Sequence, residues 1–274
     1  RGDPLFIIYA LVWAQKNMGG WSEGQRLKAE DKGVMVFKKN RYDAVVVGAG
    51  PNGLAAAINL SRCFSNVLLV EGARTIGGGM RSAEVTLTGY LSDICSAAHP
   101  LALASPFFRT LRLEDHGVDW IEPEIQLAQP FNDGSALFLH RSLDVTADAL
   151  GADGKAYQRL MKPFVENYEK LIADILSPLH VPRHPLLTAK FASSALRSLG
   201  SLARMKFSEA RTRALMAGLA AHAMIPLDQP ATAAFGIVLA TLAHAVGWPI
   251  VSGGSQKMAD ALARHFLGQG GERS

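Results

Sequence analysis

The residues best suited to chemistry lie in one short run, Gly48-Ala49-Gly50-Pro51-Asn52-Gly53. Glycines at this spacing let the backbone turn sharply after a strand, approach a phosphate without an intervening Cβ, and pack a helix closely on a sheet. A helix that starts here offers free N–H groups and the positive end of its dipole to an anion. Glu71 follows and can accept hydrogen bonds from ribose hydroxyls, whereas its charge disfavours the 2′-phosphate of NADP. The spacing therefore predicts a dinucleotide site.

The flanking sequence supplies the elements that must position this turn. Residues 42–47 are typical of a buried strand, residues 51–62 of a helix and residues 66–70 of a second strand, which ends just before Glu71. A strand, a Gly-rich turn, a helix and a strand that ends in an acid make up a βαβ dinucleotide-binding unit. The alternative is a tight turn between strand and helix that binds no ligand.

A second glycine cluster, Gly77-Gly78-Gly79-Met80-Arg81, follows soon after Glu71. It is not expected of a dehydrogenase that binds NAD alone. It resembles the FAD-binding fold of flavin oxidoreductases, in which this loop passes along the ribityl chain and the pyrophosphate, so that arginines there face phosphate or ribose oxygens. The alternative is a flexible surface loop with solvated arginines. The resemblance assigns FAD to Gly48, Ala49, Gly50, Pro51, Asn52, Gly53, Glu71, Gly72, Ala73, Arg74, Gly78, Gly79, Met80 and Arg81.

Further motifs narrow the resemblance. They are the GAGPNGL turn at 48–54, the GGGMRS loop at 77–82, DICSAAHP at 93–100, GWP at 247–249 and GGSQKM at 253–258. Together they resemble the phytoene-desaturase-like branch of FAD-dependent oxidoreductases, among the amine-oxidase-type flavoproteins. More narrowly, they resemble the pyridine nucleotide-disulphide oxidoreductase domain-containing proteins of phytoene dehydrogenase type. The resemblance implies an α/β fold, with a Rossmann-like FAD domain of mostly parallel sheet and a largely helical substrate portion.

The resemblance also implies a domain organisation. Residues 1–34 are an extension without family pattern, and a natural start would fall at Met35. Residues 35–150 hold the first part of the FAD domain and the start of the substrate-domain strands, 151–250 a helical region that faces substrate or membrane, and 251–274 the return to the FAD domain. Family members are much longer than these 274 residues and end in a Gly-Asp motif that is absent here. We therefore expect the front half of a longer protein.

Composition and cysteine count exclude several classes of function. Hydrophobic residues make up 49% of the chain and charged residues 19%, as in a soluble globular protein. Cys63 and Cys95 do not form a C-x-x-C pair, so a redox-active dithiol is excluded, and no cluster has metal-ligand spacing. The apolar run at residues 5–14 is too short to span a bilayer. We expect a cytoplasmic protein, which is either free in the cytosol or bound to the surface of a membrane.

The second half of the sequence has a helical pattern. Apolar residues recur at three- and four-residue steps from Tyr157 to Ile175, which predicts one apolar face that packs in the core or, alternatively, lines a lipophilic tunnel. Pro163 predicts a kink or break in that helix. Residues 231–246 predict a buried helix in which His244 is a core or pocket-edge residue. Earlier segments predict a strand at 85–91, a helix at 101–115, a hairpin around 132–134 and a short helix at 144–150.

A basic stretch covers residues 181–213. It has one acid, Glu209, against seven bases: Arg183, Lys190, Arg197, Arg204, Lys206, Arg211 and Arg213. Four of the bases lie seven residues apart, so they stay near one face if the segment is a single helix. The pattern predicts peripheral contact with an anionic membrane through 183–213, or a solvated face on a core helix. Sparse aromatic residues argue against nucleic-acid binding.

The function follows from the resemblance. It implies hydride transfer between FAD and a lipophilic, isoprenoid- or carotenoid-like substrate, of the desaturase or dehydrogenase type, with the chemistry done by the flavin. No side chain is assigned as catalytic. Three alternatives stay open: an amine-oxidase-like flavoenzyme, a fragment that holds no flavin, and a dehydrogenase that binds NAD alone.

Overall fold

A computed structural model describes residues 41–177 and 180–274, so the predictions made for residues 1–34, for Met35 and for the apolar run at 5–14 lie outside it. The elements, numbered along the chain, are β1 (Ala44–Val47), α1 (Pro51–Ser61), β2 (Val67–Val70), β3 (Ser82–Ala83), β4 (Ser92–Asp93), α2 (Pro100–Ala104), α3 (Pro106–Arg109), β5 (Trp120–Ile121), β6 (Ile125–Pro130), β7 (Ala136–His140), α4 (Leu143–Ala149), α5 (Gly154–Val165), α6 (Tyr168–Ile175), α7 (Pro185–Ala195), α8 (Leu199–Lys206), α9 (Ala210–Ala220), α10 (Thr232–Ala245), β8 (Ile250–Val251), α11 (Gln256–Gly268) and β9 (Glu272–Arg273).

The described residues fall into two compact units. The sheet unit comprises residues 41–97, 111–120 and 251–274, and the helical unit comprises residues 98–110 and 121–250. The sequence-based domain boundaries stay predictions.

The sheet unit is built on three parallel strands in the order β1-β2-β9. Helix α1 connects β1 to β2, which gives the predicted βαβ unit. Side chains of a strand alternate between its two faces. Val46 faces α1 and is 4% exposed, whereas Val45 and Val47 are 39% and 73% exposed. The prediction that β1 is buried throughout is therefore wrong, although all four residues of β2 are buried.

The helical unit combines a β-hairpin with a cluster of helices. Strands β6 and β7 pair antiparallel around the predicted turn at 132–134. Tyr157, Phe164 and Leu171 are at most 1% exposed within one apolar core, which confirms that the apolar face packs in the core. Helix α5 continues through Pro163 to Val165, and α6 begins at Tyr168, so the predicted break follows the proline. Among the helices that the structure describes, none is both long and apolar enough to cross a bilayer.

Two predicted elements of the first half are wrong. Residues 85–91 form no strand, and the short strands β3 and β4 pair antiparallel on either side of them. The predicted helix at 101–115 is divided into α2, α3 and a 3-10 turn at Leu113–His116. Pro106 is the cause, because a proline forces the preceding residue into an extended conformation. Ser105 has ψ of 124° and caps α3 instead of continuing α2.

The basic stretch does not form one helix, so the condition under which its four evenly spaced bases would share one face is not met. Lys190 lies on α7, Arg204 on α8 and Arg211 on α9, with Arg197 between the first two helices. Ser198 interrupts the stretch, since its hydroxyl accepts a hydrogen bond from the Ser201 amide at the start of α8.

A buried carboxylate creates the second interruption. Asp153 is 3% exposed and accepts hydrogen bonds from the Ser208 amide at 2.8 Å, the Ser208 hydroxyl at 2.9 Å and the Glu209 amide at 2.9 Å, just before α9. Burial raises the pKa of Asp153, but the hydrogen bonds from Ser208 and Glu209 lower it more, so the net pKa lies below its ordinary value of 3.8. The folded chain therefore favours the ionised form.

We expect Asp153→Asn to lower the free energy of unfolding by about 1–3 kcal/mol, because an amide NH₂ cannot accept one of these hydrogen bonds. A carboxyl group with a depressed pKa contributes its full stability above its unfolded pKa and loses it as the pH falls through the folded value. The difference in the free energy of unfolding between wild type and variant should therefore be largest near neutral pH. It should shrink as the pH falls below 3.8, the ordinary pKa of an Asp carboxyl group. Urea unfolding at several pH values measures it, and Asp148→Asn at an exposed position of α4 is the control. An equal difference at all pH values would contradict the prediction.

Candidate nucleotide-binding site

The two glycine loops of the sequence lie in direct contact. The Gly77 amide donates a hydrogen bond to the Ala49 carbonyl at 2.8 Å. A Cβ atom placed on Gly78 would lie 3.0 Å from the Cα atom of Gly50. Both loops lie where β1 ends and α1 begins, which is the edge of a parallel sheet where nucleotides bind in doubly wound folds. The loops thus form one site.

Two glycines are required for the first loop to fold. Gly48 has φ of +95°, a conformation that residues with a Cβ rarely adopt. A Cβ on Gly53 would lie 1.7 Å from the Gly48 carbonyl oxygen, so α1 can approach the turn only with glycine at this position. These positions explain why the spacing of glycines is informative about the fold.

The start of α1 is open to an anion. Gly50 precedes the helix, and no side chain caps it. Pro51 occupies the first position, where its missing N–H costs nothing, so the amides of Asn52 and Gly53 are the first helical donors without intrahelical acceptors. Asn52 is exposed. These amides and the helix dipole favour a phosphate at this point.

Glu71 follows β2 and faces the glycine turn. Its Oε2 atom accepts a hydrogen bond from the Ala49 amide at 2.8 Å, and its Oε1 atom accepts one from the Ala73 amide at 2.9 Å. Burial raises the pKa of Glu71, but these two amides, the Arg81 charge and the Gly72 amide lower it more, so the net pKa is below its usual range. Each carboxylate oxygen has a second acceptor position for a ribose hydroxyl.

The remaining predicted site residues differ in how they are held and in how exposed they are. Arg81 is tied to the second loop by a hydrogen bond from its Nε atom to the Gly78 carbonyl at 3.0 Å. The Gly79 carbonyl accepts hydrogen bonds from Ser96. Met80 is 2% exposed, so its side chain belongs to the core and only its backbone can contact a ligand. Arg74 is exposed, as are its neighbours Gly72 and Ala73. The structure therefore brings residues 48–53, Glu71 and 77–81 together.

A hydrogen-bond network that the sequence analysis did not assign supports the second loop. The Oδ1 atom of Asp93 accepts hydrogen bonds from the Ser82 hydroxyl at 2.5 Å and the Ser255 amide at 2.8 Å. The fully buried Ser255 donates its hydroxyl to the Ser96 carbonyl at 2.8 Å. The three motifs at 77–82, 93–100 and 253–258 contain these residues, so their place in those motifs was the available signal.

The helical unit holds a buried Tyr–His pair. The Tyr157 hydroxyl lies 2.8 Å from Nε2 of His244, and Nδ1 of His244 lies 3.2 Å from the Arg141 carbonyl. A carbonyl only accepts, so Nδ1 carries the proton and Nε2 accepts from the tyrosine. Burial lowers the pKa of His244, which favours the neutral ring. Both groups have partners, so His244 is a core residue.

The sequence around the site matches a known family. Residues 46–111, which contain both glycine loops and Glu71, match the model of an NAD(P)-binding Rossmann-like domain. Together with the parallel order of β1, β2 and β9, this match confirms the predicted Rossmann-like α/β fold.

Two relatives that align with most of the chain have names that describe an oxidoreductase and a desaturase. The chain is 28% identical over 280 residues to pyridine nucleotide-disulfide oxidoreductase domain-containing protein 2 of Mus musculus, with 82% of this chain and 45% of the relative covered. It is 29% identical over 244 residues to the hydroxyneurosporene desaturase of Cereibacter sphaeroides, with coverage of 82% and 48%. The chain thus spans about half the length of these curated relatives. They confirm the resemblance drawn from the motifs.

A solved structure shares the fold. It is a putrescine oxidase variant from a redesign of cofactor binding, with a TM-score of 0.50 and 20% sequence identity over 84% of this chain and 50% of that one. At this identity the likeness concerns the fold alone.

Proposed function

We propose that the sheet unit binds FAD and that the chain is part of an FAD-dependent oxidoreductase. The observation that carries the proposal is the contact between the two glycine loops beside Glu71, where the Gly77 amide reaches the Ala49 carbonyl at 2.8 Å. A site for NAD alone needs the first loop and the acid, whereas the second loop adds backbone along the path of a longer dinucleotide. The residues present fit such a group, because no side chain caps the start of α1 and the amides of Asn52 and Gly53 have no intrahelical acceptor there.

Each part of the site has a proposed role. The amides of Asn52 and Gly53 bind the pyrophosphate, the Glu71 carboxylate accepts hydrogen bonds from the ribose hydroxyls, and Arg81 supplies a compensating positive charge close to Glu71. When bound, FAD supplies hydride acceptance and donation through its flavin ring. The protein's part is to bind and orient the cofactor and to exclude water.

The proposed substrate is lipophilic, of the isoprenoid or carotenoid kind. The hydroxyneurosporene desaturase alignment supports this class, because its coverage of 82% of the chain reaches well into the helical unit. An amine-oxidase-like activity is the second candidate, and it has only the fold shared with putrescine oxidase in its support.

The test is a flavin titration of the purified 274-residue chain. We expect added FAD to bind with one flavin per chain and to give a yellow protein with the absorption of oxidised flavin, which an excess of NAD or NADP does not displace. A colourless chain that ignores FAD would refute the proposal for this chain and favour the fragment without flavin. Anaerobic bleaching of the bound flavin by a polyene precursor, but not by putrescine, would distinguish the two substrate classes.

A further inference from the structure

A pocket of about 400 Å³ opens on the helical unit among α5, α7 and α8. Leu160 and Phe164 of α5 form an apolar part of its lining, and both are nearly fully buried, at 7% and 1% exposed. Met205 of α8 also lines it and is 53% exposed. The volume lies within the range of roughly 300–1,000 Å³ that is usual for small-molecule sites.

Three positive charges surround this apolar part of the lining. Arg159, Lys190 and Lys206 come from α5, α7 and α8 respectively, and all three side chains are exposed. The lining residues include no Asp or Glu. Within residues 41–177 and 180–274, none of the three cations forms an ion pair, although Lys162 on the same helix as Arg159 pairs with Glu166 at 3.7 Å. Uncompensated charges of one sign around a concave surface attract an anion of opposite sign.

We propose that this pocket binds the phosphate monoester of an amphiphilic molecule, with the apolar chain of that molecule against Met205 and the accessible edge of Leu160. A phosphate monoester carries up to two negative charges and three acceptor oxygens, which matches the fork of Arg159 and the two ammonium groups. Ser194, half-buried in the lining, offers a hydroxyl. The proposal goes beyond the proposed function and does not depend on flavin binding.

Two sources could supply this chemistry, a lipid headgroup in a membrane and a soluble phosphorylated chain. The membrane source agrees with the expected peripheral contact through 183–213, because Lys190 and Lys206 belong to that stretch. Leu186 and Leu196 of the same stretch are 88% and 68% exposed. The phosphate monoester is common to both sources, and the experiment separates them.

The probe is octyl phosphate, titrated calorimetrically into the purified full chain. Inorganic phosphate, which lacks the apolar chain, and octyl glucoside, which lacks the charge, are the control ligands. We expect octyl phosphate to bind at least about tenfold more tightly than either. The double variant Lys190→Gln/Lys206→Gln should lose about tenfold in affinity for octyl phosphate, as expected for two exposed charges. Lys170→Gln, which removes an exposed charge from α6 outside the pocket, should change nothing. Met205→Gln should lower the affinity for octyl phosphate and leave the affinity for inorganic phosphate unchanged.

Co-sedimentation with phosphatidylcholine vesicles, with and without phosphatidic acid, identifies the source. Binding that requires phosphatidic acid and falls in the double variant supports a membrane headgroup, whereas binding of octyl phosphate alone supports a soluble ligand. Equal affinity for octyl phosphate and octyl glucoside, unchanged binding by the double variant in both assays, or binding in neither assay would overturn the proposal. Circular dichroism and thermal unfolding check that the variants are folded.

Discussion

Gly53→Ala is expected to lower the free energy of unfolding by about 3 kcal/mol, at the upper end of the cost of overpacking. The new Cβ would lie 1.7 Å from the Gly48 carbonyl oxygen and 2.9 Å from its carbon atom, so either the turn or α1 must move. Real Cβ atoms essentially never come this close to a backbone carbonyl.

Neither side of that contact can move at low cost. The Gly48 amide donates to the Val70 carbonyl at 2.7 Å, which fixes the turn to the end of β2. Helix α1 is held by its apolar face, where Leu54, Ala57 and Ile58 are fully buried. Closely packed interiors transmit such a displacement to their neighbours rather than absorbing it.

The control for this prediction is Gly268→Ala at the end of α11. Nothing lies within 4 Å of the Cβ position there, and the backbone is not left-handed, so stability should stay the same or rise slightly. Urea unfolding followed by circular dichroism compares the two variants with the wild type. If Gly53→Ala unfolds at the wild-type urea midpoint, α1 does not pack as closely on the Gly48 carbonyl as the structure shows.

The sequence predicts the βαβ unit well because its signals are local. Gly48 and Gly53 satisfy requirements of the backbone within five residues of each other, and the strands on either side are short apolar runs. The return of residues 251–274 to the sheet was expected only from the resemblance, because the parallel pairing of β9 with β2 joins residues that are far apart in sequence. The exposure of one face of β1 could not be predicted, because a continuous apolar run does not indicate which face of a strand packs against the core.

The helical unit shows where such signals fail. Asp153 caps the backbone near Ser208 from more than fifty residues away, so the break before α9 depends on a partner that periodicity cannot identify. The heptad spacing of Arg197 and Arg204 was regular, yet Ser198 between them ends the helical run by capping α8. The support of the second glycine loop by Asp93 and Ser255 is likewise a tertiary contact. Local patterns predicted the first glycine turn and Glu71, the resemblance added the second glycine loop, and hydrogen bonds between distant residues support that second loop.

Gly50→Ala is expected to weaken FAD binding by roughly 10- to 100-fold, since overpacking a fitted site by one methyl group costs about 1–3 kcal/mol. The fold should tolerate the change. Gly50 has φ of −75° and ψ of −179°, an extended conformation open to alanine, and its Cβ would lie 3.8 Å from the Gly78 Cα atom, an ordinary contact. The new methyl group would lie against the second loop, beside the start of α1, where we propose that the amides of Asn52 and Gly53 bind the pyrophosphate.

Flavin titration and urea unfolding of the same preparations distinguish this variant from Gly53→Ala. Gly50→Ala should keep the wild-type unfolding midpoint and lose affinity for FAD, whereas Gly268→Ala should keep both. The two glycines of one turn would then have separate functions, because Gly53 is required for packing and Gly50 for access of the ligand. If Gly50→Ala binds FAD as tightly as the wild type, the pyrophosphate does not approach the turn at Gly50, and the proposed site at the start of α1 fails with it.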